Sequence, residues 1–430
     1  MSFRSSVLFS LGVCAIAVSA GAQPKIQVNA ARSEVRLLAG PVGGVFTLER
    51  AEQLAGPWLP VQNRYITPGE NITLPFPDMA GSRLTFLRAM TRDLGTGGDA
   101  FQNLIESYGL LTTIAGAGGA PFDINKWDPG FEGGLATDAL LSNPHFAMAD
   151  KAGNIFIADK QSHAIRRVSR DGIITTAAGT STKGNGSNTS SPATEIDLNQ
   201  PNGLWVRGDG TVYILDTGNN KVRRLSPDGT MRTLFSVSQG VSTGRGIWVK
   251  DDETLAYISC GTTVRKWTPS KGVKDFSTGY TELGNLVVDP EGNLVVTDRN
   301  GHQVYRLDAS GAKTLIAGNG TGFGGGEGYT ALETGLLEVR GVWFLSNGSY
   351  FLATHRGSQI WYVDVDGVIH LFLNGTRAGL PHGDDTYFYA PEERRLSEVR
   401  AITMDWEGNL LITENDAGFI RKVRFLPYTE

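Results

Sequence analysis

Short runs in which apolar and polar residues alternate recur six times along the chain. Each copy has the pattern of a β-strand, a turn rich in Asp, Gly, Asn or Ser, and a second strand, and the short turn predicts an antiparallel hairpin. The copies are NIFIADKQSHAIRRV (154–168), TVYILDTGNNKVRRL (211–225), LAYISCGTTVRKW (255–267), NLVVTDRNGHQVYRL (293–307), SYFLATHRGSQIWYV (349–363) and NLLITENDAGFIRKV (409–423).

Another apolar strand precedes each hairpin, and a fourth strand follows the first five hairpins. The preceding strands lie at 145–150, 202–207, 245–250, 284–289, 340–345 and 400–405, and the following ones at 172–179, 230–236, 272–278, 312–318 and 367–373. Because a unit of this size cannot bury a core alone, neighbouring units must stack. Four antiparallel strands repeated six times predict an all-β protein, a six-bladed β-propeller.

The sixth copy lacks its fourth strand, and a segment upstream of the first copy supplies a candidate. GLLTTIAGAGG (109–119) matches TTAAG (175–179) and TLIAG (314–318) closely. We therefore predict that residues 110–117 pair with residues 419–425. This pairing would close the ring and remove its open edge.

The repeats resemble the NHL-repeat family of six-bladed propellers, of the type found in secreted bacterial proteins. The resemblance covers residues 110–425 and implies the fold, but this fold hosts several unrelated activities. The chain departs from the family pattern at Cys260 and Thr354, where the other blades have an acid. The matching features are the Gly-Asn pairs at 153–154, 292–293 and 408–409, the strand-end acids Asp159, Asp216, Asp298 and Glu414, and the pieces SHAIRRV, NNKVRRL and GHQVYRL.

The N-terminal hundred residues do not share the repeat. Arg4, an apolar run at 7–18 and an Ala-Gly-Ala site at 20–22 predict a signal peptide over residues 1–22. We therefore expect a secreted or periplasmic protein without a membrane span, since twelve apolar residues rise only about 18 Å as a helix. Residues 23–95 are predicted to form a small β-sandwich-like accessory module, residues 96–109 a linker, and residues 110–430 the propeller.

Composition and charge narrow the classes of molecule that the protein could bind. The chain has 430 residues, and its 39 Lys and Arg against 44 Asp and Glu give a formal net charge of −5. A nucleic-acid partner is excluded because it requires a basic surface. Two Cys cannot supply a disulfide scaffold. We expect a monomer.

The first positions of the inner strands predict a polar ring at one mouth of the channel. Arg is a bidentate donor for carboxylate, sulfate or phosphate. We expect an anionic or carbohydrate-like ligand there, such as a sugar acid, a sulfated glycan or a peptide carboxylate. The alternative is that each Arg pairs with a Glu of an adjacent blade and only joins the blades. The ring comprises His145, Asn202, Arg245, Gly284, Arg340 and Arg400, and the positions two residues earlier include Glu282, Glu338 and Glu398.

An enzyme remains the second hypothesis, a metal-dependent lactonase or lyase. Asn-Pro-His at 143–145 is similar to the strand start of zinc-dependent amidating lyases of this fold, but zinc needs three protein ligands and the ring offers one His. Gluconolactonase-like propellers bind a divalent ion through Glu, Asn and Asp, a set that suits calcium. We expect no cofactor, with calcium as the exception, and no motif identifies catalytic residues. The counterparts by residue type are Asn202, Glu282, Glu338 and Glu398.

Two further patterns have structural interpretations. The strand-end acids are expected to fix their hairpins through backbone N–H groups, and Trp205, Trp248 and Trp343 are expected to form core between blades.

The long connections between blades support a third hypothesis, a protein partner, because long loops on a rigid scaffold commonly carry recognition. They lie at 183–196, 318–334 and 377–398.

Overall fold

The computed structural model describes residues 108–119, 127–373 and 396–425, together with the backbone of separate strands between residues 5 and 93 and at 386–387. Most of the predicted linker therefore lies outside the described residues, as does most of the connection at 377–398. No helix within the described parts is long and apolar enough to cross a membrane.

The described residues before position 94 include eight strands, which form two sheets. The order in the first sheet is β1-β2-β8-β5-β6, and in the second it is β3-β4-β7. β1 and β2 lie within the segment predicted to be a signal peptide, so its removal stays a prediction, as do the domain boundaries. The strands are β1 (Ser5–Leu8), β2 (Val13–Val18), β3 (Lys25–Asn29), β4 (Glu34–Leu38), β5 (Gly44–Ala51), β6 (Leu59–Tyr65), β7 (Ile72–Pro75) and β8 (Thr85–Asp93).

Six antiparallel sheets follow and form the predicted propeller. Each inner strand contacts the inner strand of the next blade, and the last contacts the first, so the ring is complete. From the inner strand outwards, blade 1 has β10 (Pro144–Ala149), β11 (Ile155–Asp159), β12 (Ala164–Val168) and β13 (Ile174–Ala178). Blade 2 has β15 (Pro201–Val206), β16 (Val212–Asp216), β17 (Lys221–Leu225) and β18 (Thr230–Ser236), with β14 (Ser191–Pro192) at its edge. Blade 3 has β19 (Ile247–Val249), β20 (Ala256–Cys260), β21 (Thr263–Thr268) and β22 (Gly272–Thr278).

The remaining blades have the same order. Blade 4 has β23 (Leu283–Val288), β24 (Leu294–Asp298), β25 (Gln303–Leu307) and β26 (Lys313–Ala317). Blade 5 has β27 (Val339–Phe344), β28 (Tyr350–Thr354), β29 (Gln359–Val363) and β30 (Ile369–Leu373). Blade 6 has β32 (Val399–Met404), β33 (Leu410–Glu414), β34 (Phe419–Phe425) and β9 (Tyr108–Ala115), with β31 (Thr386–Tyr387) beyond β9. Short 3-10 helices lie at Pro129–Phe131, Ala136–Asp138, Lys160–Ser162, Ala193–Glu195 and Thr217–Asn219.

The closing strand confirms the predicted ring closure. β9 pairs antiparallel with β34, with Leu111 opposite Val423 and Ala115 opposite Ile420. Leu111 and Ala115 are fully buried. The strand spans residues 108–115 rather than the predicted 110–117, because the pairing with β34 extends back to Tyr108.

Apolar side chains fill the space between adjacent sheets. Ile165 of blade 1 and Leu204 of blade 2 belong to one buried cluster. Ile157 of blade 1 and Leu411 of blade 6 belong to another across the closure. Because every blade shares its core with two neighbours, no blade is expected to fold alone.

Gly318, at the end of β26, has a conformation that only Gly adopts at low cost. Its φ is +90°, and a Cβ there would collide with the His302 carbonyl oxygen. We expect Gly318→Ala to lower the free energy of unfolding by about 2 kcal/mol or more. Gly367→Ala is the matched control, since Gly367 has a φ of +81° but open space around its Cβ position. Urea denaturation should show a clearly larger loss for Gly318→Ala, and equal losses would contradict the collision.

Candidate functional site

Equivalent backbone positions bring the predicted ring residues to the end of the channel where the inner strands begin. His145, Asn202 and Arg340 are each the second residue of an inner strand, and all three are buried. Blade 4 contributes no side chain, because a Cβ on Gly284 would collide with the side chain of Thr297. We call this end of the channel the arginine mouth: it comprises His145, Asn202, Arg245, Arg340 and Arg400, with Glu282, Glu338 and Glu398 beside them.

Two of the three ring arginines pair with carboxylates. Arg245 Nη2 donates to Glu282 Oε1 at 2.7 Å, from blade 3 to blade 4, and Arg245 Nη1 donates to the Leu283 carbonyl oxygen at 3.0 Å. Arg400 Nη2 lies 3.2 Å from Glu398 Oε2 within blade 6. Arg245 therefore joins adjacent blades as the structural alternative predicts, whereas Arg400 pairs within its own blade.

Arg340 differs from both. Its side chain is 1% exposed, and its Nε and Nη1 have no hydrogen-bond partner among the described residues. Burial lowers the pKa of Arg340 well below its usual range, and the charges of Arg400, Arg245 and Arg299 lower it further. Because a guanidinium stays protonated in proteins, the site holds a buried positive charge that the Glu282 carboxylate attracts from a distance but does not pair with directly.

Three residues that the sequence reasoning did not place in the site also line it. Lys160, Arg299 and His355 each follow the last residue of the second strand of their blade. Burial lowers the pKa of Lys160 to about 8, with further lowering by Arg340, Arg400 and Arg245. The repeat itself held the signal, since this position directly follows the strand-end residue in every copy.

A chain of ion pairs crosses blades 4 to 6. Arg299 Nη1 donates to Glu282 Oε2 at 3.0 Å and Arg299 Nε donates to Glu338 Oε2 at 2.8 Å. His355 lies between two carboxylates, with Nδ1 2.8 Å from Glu338 Oε2 and Nε2 2.6 Å from Glu398 Oε2. Burial opposes the ionisation of Glu338, but hydrogen bonds from His355 and Arg299 lower its pKa to about 2.

The two other polar ring residues are held by backbone groups. His145 Nδ1 lies 2.9 Å from the Asn143 carbonyl oxygen, and burial together with Arg400 and Lys160 lowers the pKa of His145 well below 6.5. Asn202 Nδ2 donates to the Gly244 carbonyl oxygen at 2.8 Å, while its Oδ1 has no partner in the described parts of the chain. The mouth thus offers a neutral imidazole and a free amide oxygen beside its cations.

The proposed metal ligands are already engaged by three arginines and by His355, whose pKa burial lowers. Arg245, Arg299, His355 and Arg400 contact the carboxylates of Glu282, Glu338 and Glu398, so metal binding by these three would require breaking those pairs. Within the described residues, no group of three His, Cys, Asp or Glu side chains could hold a metal ion. The expectation of no cofactor stays a prediction.

The strand-end acids have the predicted structural role. Asp298 accepts the N–H of Gly301 in its hairpin turn at 3.3 Å, as predicted, but Asp159 and Asp216 find their backbone partners in a different segment. Asp159 Oδ1 accepts the Ser142 N–H at 2.6 Å and Asp216 Oδ1 accepts the Asn199 N–H at 2.9 Å. These donors lie in the loop that enters the inner strand, not in the hairpin turn. Arg223 Nε also donates to Asp216 Oδ2 at 3.0 Å, with both side chains fully buried. The acids therefore hold the loops that position the ring residues.

Comparisons with solved structures show the fold. A structural genomics protein of unknown function from Bacteroides thetaiotaomicron is 13% identical, with a TM-score of 0.59 over 98% of both chains. A Bacteroides ovatus protein named as an auxiliary nutrient binding protein is 12% identical, with a TM-score of 0.56 over 91% of this chain and 94% of that one.

Sequence comparisons identify the family. SUPPRESSOR OF QUENCHING 1 of Arabidopsis thaliana is 24% identical over 304 residues, 59% of this chain and 28% of that protein. Human Teneurin-4 is 32% identical over 128 residues, 28% of this chain and 4% of that protein. The chain thus spans less than a third of either relative. The profile of the Teneurin NHL domain matches residues 187–420, more than half of the chain, so the protein belongs to the Teneurin NHL domain family and its NHL-type propeller is confirmed.

Proposed function

We propose that the protein binds a small anionic ligand at the arginine mouth, with a carboxylate, sulfate or phosphate as the recognised group. The observation that carries the proposal is Arg340, a fully buried guanidinium whose Nε and Nη1 have no partner in the described residues. An unpaired buried charge costs several kcal/mol. A bound anion would offset that cost by balancing the charge of the guanidinium.

The surroundings of Arg340 favour a negative ligand. With Lys160, Arg245, Arg299 and Arg400 there are five cations, against the four carboxylates of Glu282, Glu338, Glu398 and Asp416. The Nε atoms of Arg245 and Arg400 are also buried without a partner among the described residues. Charge-assisted bonds to such donors are the strong ones, because donor and acceptor both carry charge.

Sugar acids are the ligand class that the residue chemistry of the site favours. The Oδ1 of Asn202 can accept a hydroxyl hydrogen while the arginines bind the carboxylate. The Bacteroides ovatus neighbour is named as an auxiliary nutrient binding protein, so a binding role occurs on this fold. Secretion, predicted from residues 1–22, would give the protein access to such ligands outside the cytoplasm.

Thermal unfolding with a matched ligand pair tests the proposal. Glucuronate and sulfate should raise the unfolding midpoint as their concentration increases, because they bind only the folded state. Glucose, which matches glucuronate except for the carboxylate, should have no effect at the same concentrations. Equal effects of glucose and glucuronate, or no shift with either anion, would contradict an anion site.

The pKa of Lys160, about 8, predicts the pH dependence of this binding. The ammonium is protonated below pH 8 and attracts the anion, and it loses its charge as the pH rises above 8. Sulfate, which does not titrate in this range, should therefore bind about tenfold more weakly at pH 9.5 than at pH 7. Calorimetric titration of Lys160→Met should show weaker binding at pH 7 and little change between the two pH values. A wild-type affinity that is constant over this range would exclude Lys160 from the site.

A further inference from the structure

A cavity of about 610 Å³ lies at the other end of the channel. Its lining includes Val206, Val288, Phe344 and Met404, which are the last residues of their inner strands. Arg340 and its neighbours lie at the first residues of those strands. The two ends of the channel are therefore separate sites, and this one is large enough for a small organic molecule.

Trp, Phe and Met side chains form part of the walls. Trp205 and Trp343 line the cavity with ring centroids 6.5 Å apart and ring planes at 35°, and Met148 lies beside them. Both Trp side chains pack in the core as the sequence predicts, but they also face the cavity. The prediction that these Trp side chains only form core between blades is therefore incomplete. Trp406, at the rim, is 41% exposed.

The turns that follow the inner strands are themselves rich in carboxylates. They contain nine carboxylates and three cations, and cations of the neighbouring segments offset much of this charge. Arg306 and Lys422 pair with Asp289 and Asp405, Arg224 and Arg232 pair with Glu253, and Arg170 pairs with Glu407. The carboxylates are Asp150, Asp209, Asp251, Asp252, Glu253, Asp289, Glu291, Asp405 and Glu407, and the cations are Lys151, Arg207 and Lys250.

The rim of the cavity retains negative charge. Asp209 and Asp251 both line it and share Arg207, at 3.6 Å and 3.7 Å. Asp251 is largely exposed. One cation between two carboxylates leaves an excess of one negative charge around Arg207, while the Lys151 ammonium lies 6.0 Å from the Trp406 ring centroid on another part of the rim.

We propose that this cavity binds a small organic cation, a quaternary ammonium group on an apolar body. The faces of Trp rings attract cations, and quaternary ammonium groups favour such sites because they are weakly hydrated. Met148 and Met404 adapt to irregular apolar shapes, and Asp209 and Asp251 add long-range attraction at the opening. The proposal is independent of the anion site, since the two share no residue.

Calorimetric titration with three one-ring compounds tests the charge preference. Benzyltrimethylammonium is the cation, benzyl alcohol the neutral compound and benzenesulfonate the anion. We expect the cation to bind about tenfold more tightly than benzyl alcohol. Benzenesulfonate should bind only at the arginine mouth, so Trp406→Leu should leave its affinity unchanged. Equal affinity for cation and alcohol, or loss of benzenesulfonate binding in Trp406→Leu, would overturn the proposal.

Substitutions at the rim of the cavity test where the cation binds, and they leave the core residues unchanged. Trp406→Leu should weaken benzyltrimethylammonium binding about fivefold or more. Asp209→Asn combined with Asp251→Asn should weaken it about fivefold, and Asn keeps the oxygen with which Asp209 accepts the Thr211 N–H. Asp252→Asn is the control, since Asp252 pairs with Lys250 outside the cavity. Unchanged affinity in Trp406→Leu, or the same loss in Asp252→Asn as in the rim double variant, would place the cation elsewhere.

Discussion

A chain that begins at residue 117 is expected to lose the folded propeller, whereas one that begins at residue 107 should keep it. The difference between them is β9, the fourth strand of blade 6. Without it, β34 becomes an open edge and the burial of Leu111 and Ala115 is lost. Burial of Leu111 contributes about 1.5–3 kcal/mol and burial of Ala115 less, and each hydrogen bond between β9 and β34 adds about 0.5–1.5 kcal/mol. The loss is comparable to the whole stability of many domains, about 5–15 kcal/mol.

Soluble yield and cooperative thermal unfolding by circular dichroism measure this effect. The chain from residue 107 serves as the control for removal of the N-terminal strands, because both truncations lack β1–β8. A chain from residue 117 that unfolds cooperatively at the same temperature as its control would show that the ring does not need this strand.

Replacement of Arg340 by Met is expected to abolish anion binding and to stabilise the protein that has no ligand. Met fills a similar volume without the cost of a desolvated charge, and such replacements commonly stabilise by about 1–4 kcal/mol. Repulsion from Arg400, Arg245 and Arg299 would also be relieved. Affinity for sulfate and glucuronate should fall by at least about a hundredfold, since Arg340 provides two donors.

Arg223→Met provides the matched control, because Arg223 is also fully buried but pairs with Asp216. Removing one partner of a buried pair should cost about 3–5 kcal/mol, with anion affinity retained in the folded fraction. Urea unfolding and calorimetry on both variants separate the two roles. If Arg340→Met destabilised the protein and left anion affinity unchanged, Arg340 would be a structural residue and the proposed function would fail.

The fold was predictable because the strand pattern of one blade is repeated along the chain. Six copies of one strand pattern specify six blades, and the match of 109–119 to the ends of blades 1 and 4 identifies the closing strand. Its start was misplaced by two residues because pairing with β34 extends beyond the matching letters, to Tyr108 and Phe425. Local pattern reveals which segments pair, but the ends of a strand depend on the partner strand.

The sequence predicted where the candidate site lies, but not which of its arginines form ion pairs. Strand register placed Arg245, Arg340 and Arg400 at one mouth, yet only side-chain geometry shows that Arg340 alone of these three lacks a carboxylate partner among the described residues. Lys160 and Arg299 were missed because the ring was derived from the inner strands alone, although the first residue after each second strand lies at the same end of the channel. The cavity at the opposite end was missed because sequence cannot distinguish a Trp face that packs from one that also borders open space.

The register of the closing strand also determines how the ring responds to a pulling force. Tyr108, the first residue of β9, lies opposite Phe425, the last residue of β34. The segment before β9 and the segment after β34 are therefore attached at the same end of the strand pair. A force applied to the flanking segments would load the inter-strand hydrogen bonds one after another, as when a zipper opens, because antiparallel partners attached at one end separate pair by pair. A protein that is thermodynamically stable would thus open at low force from this seam. Attachment through residue 119 and the segment after Phe425 would instead load all bonds of the pair in shear and raise the rupture force.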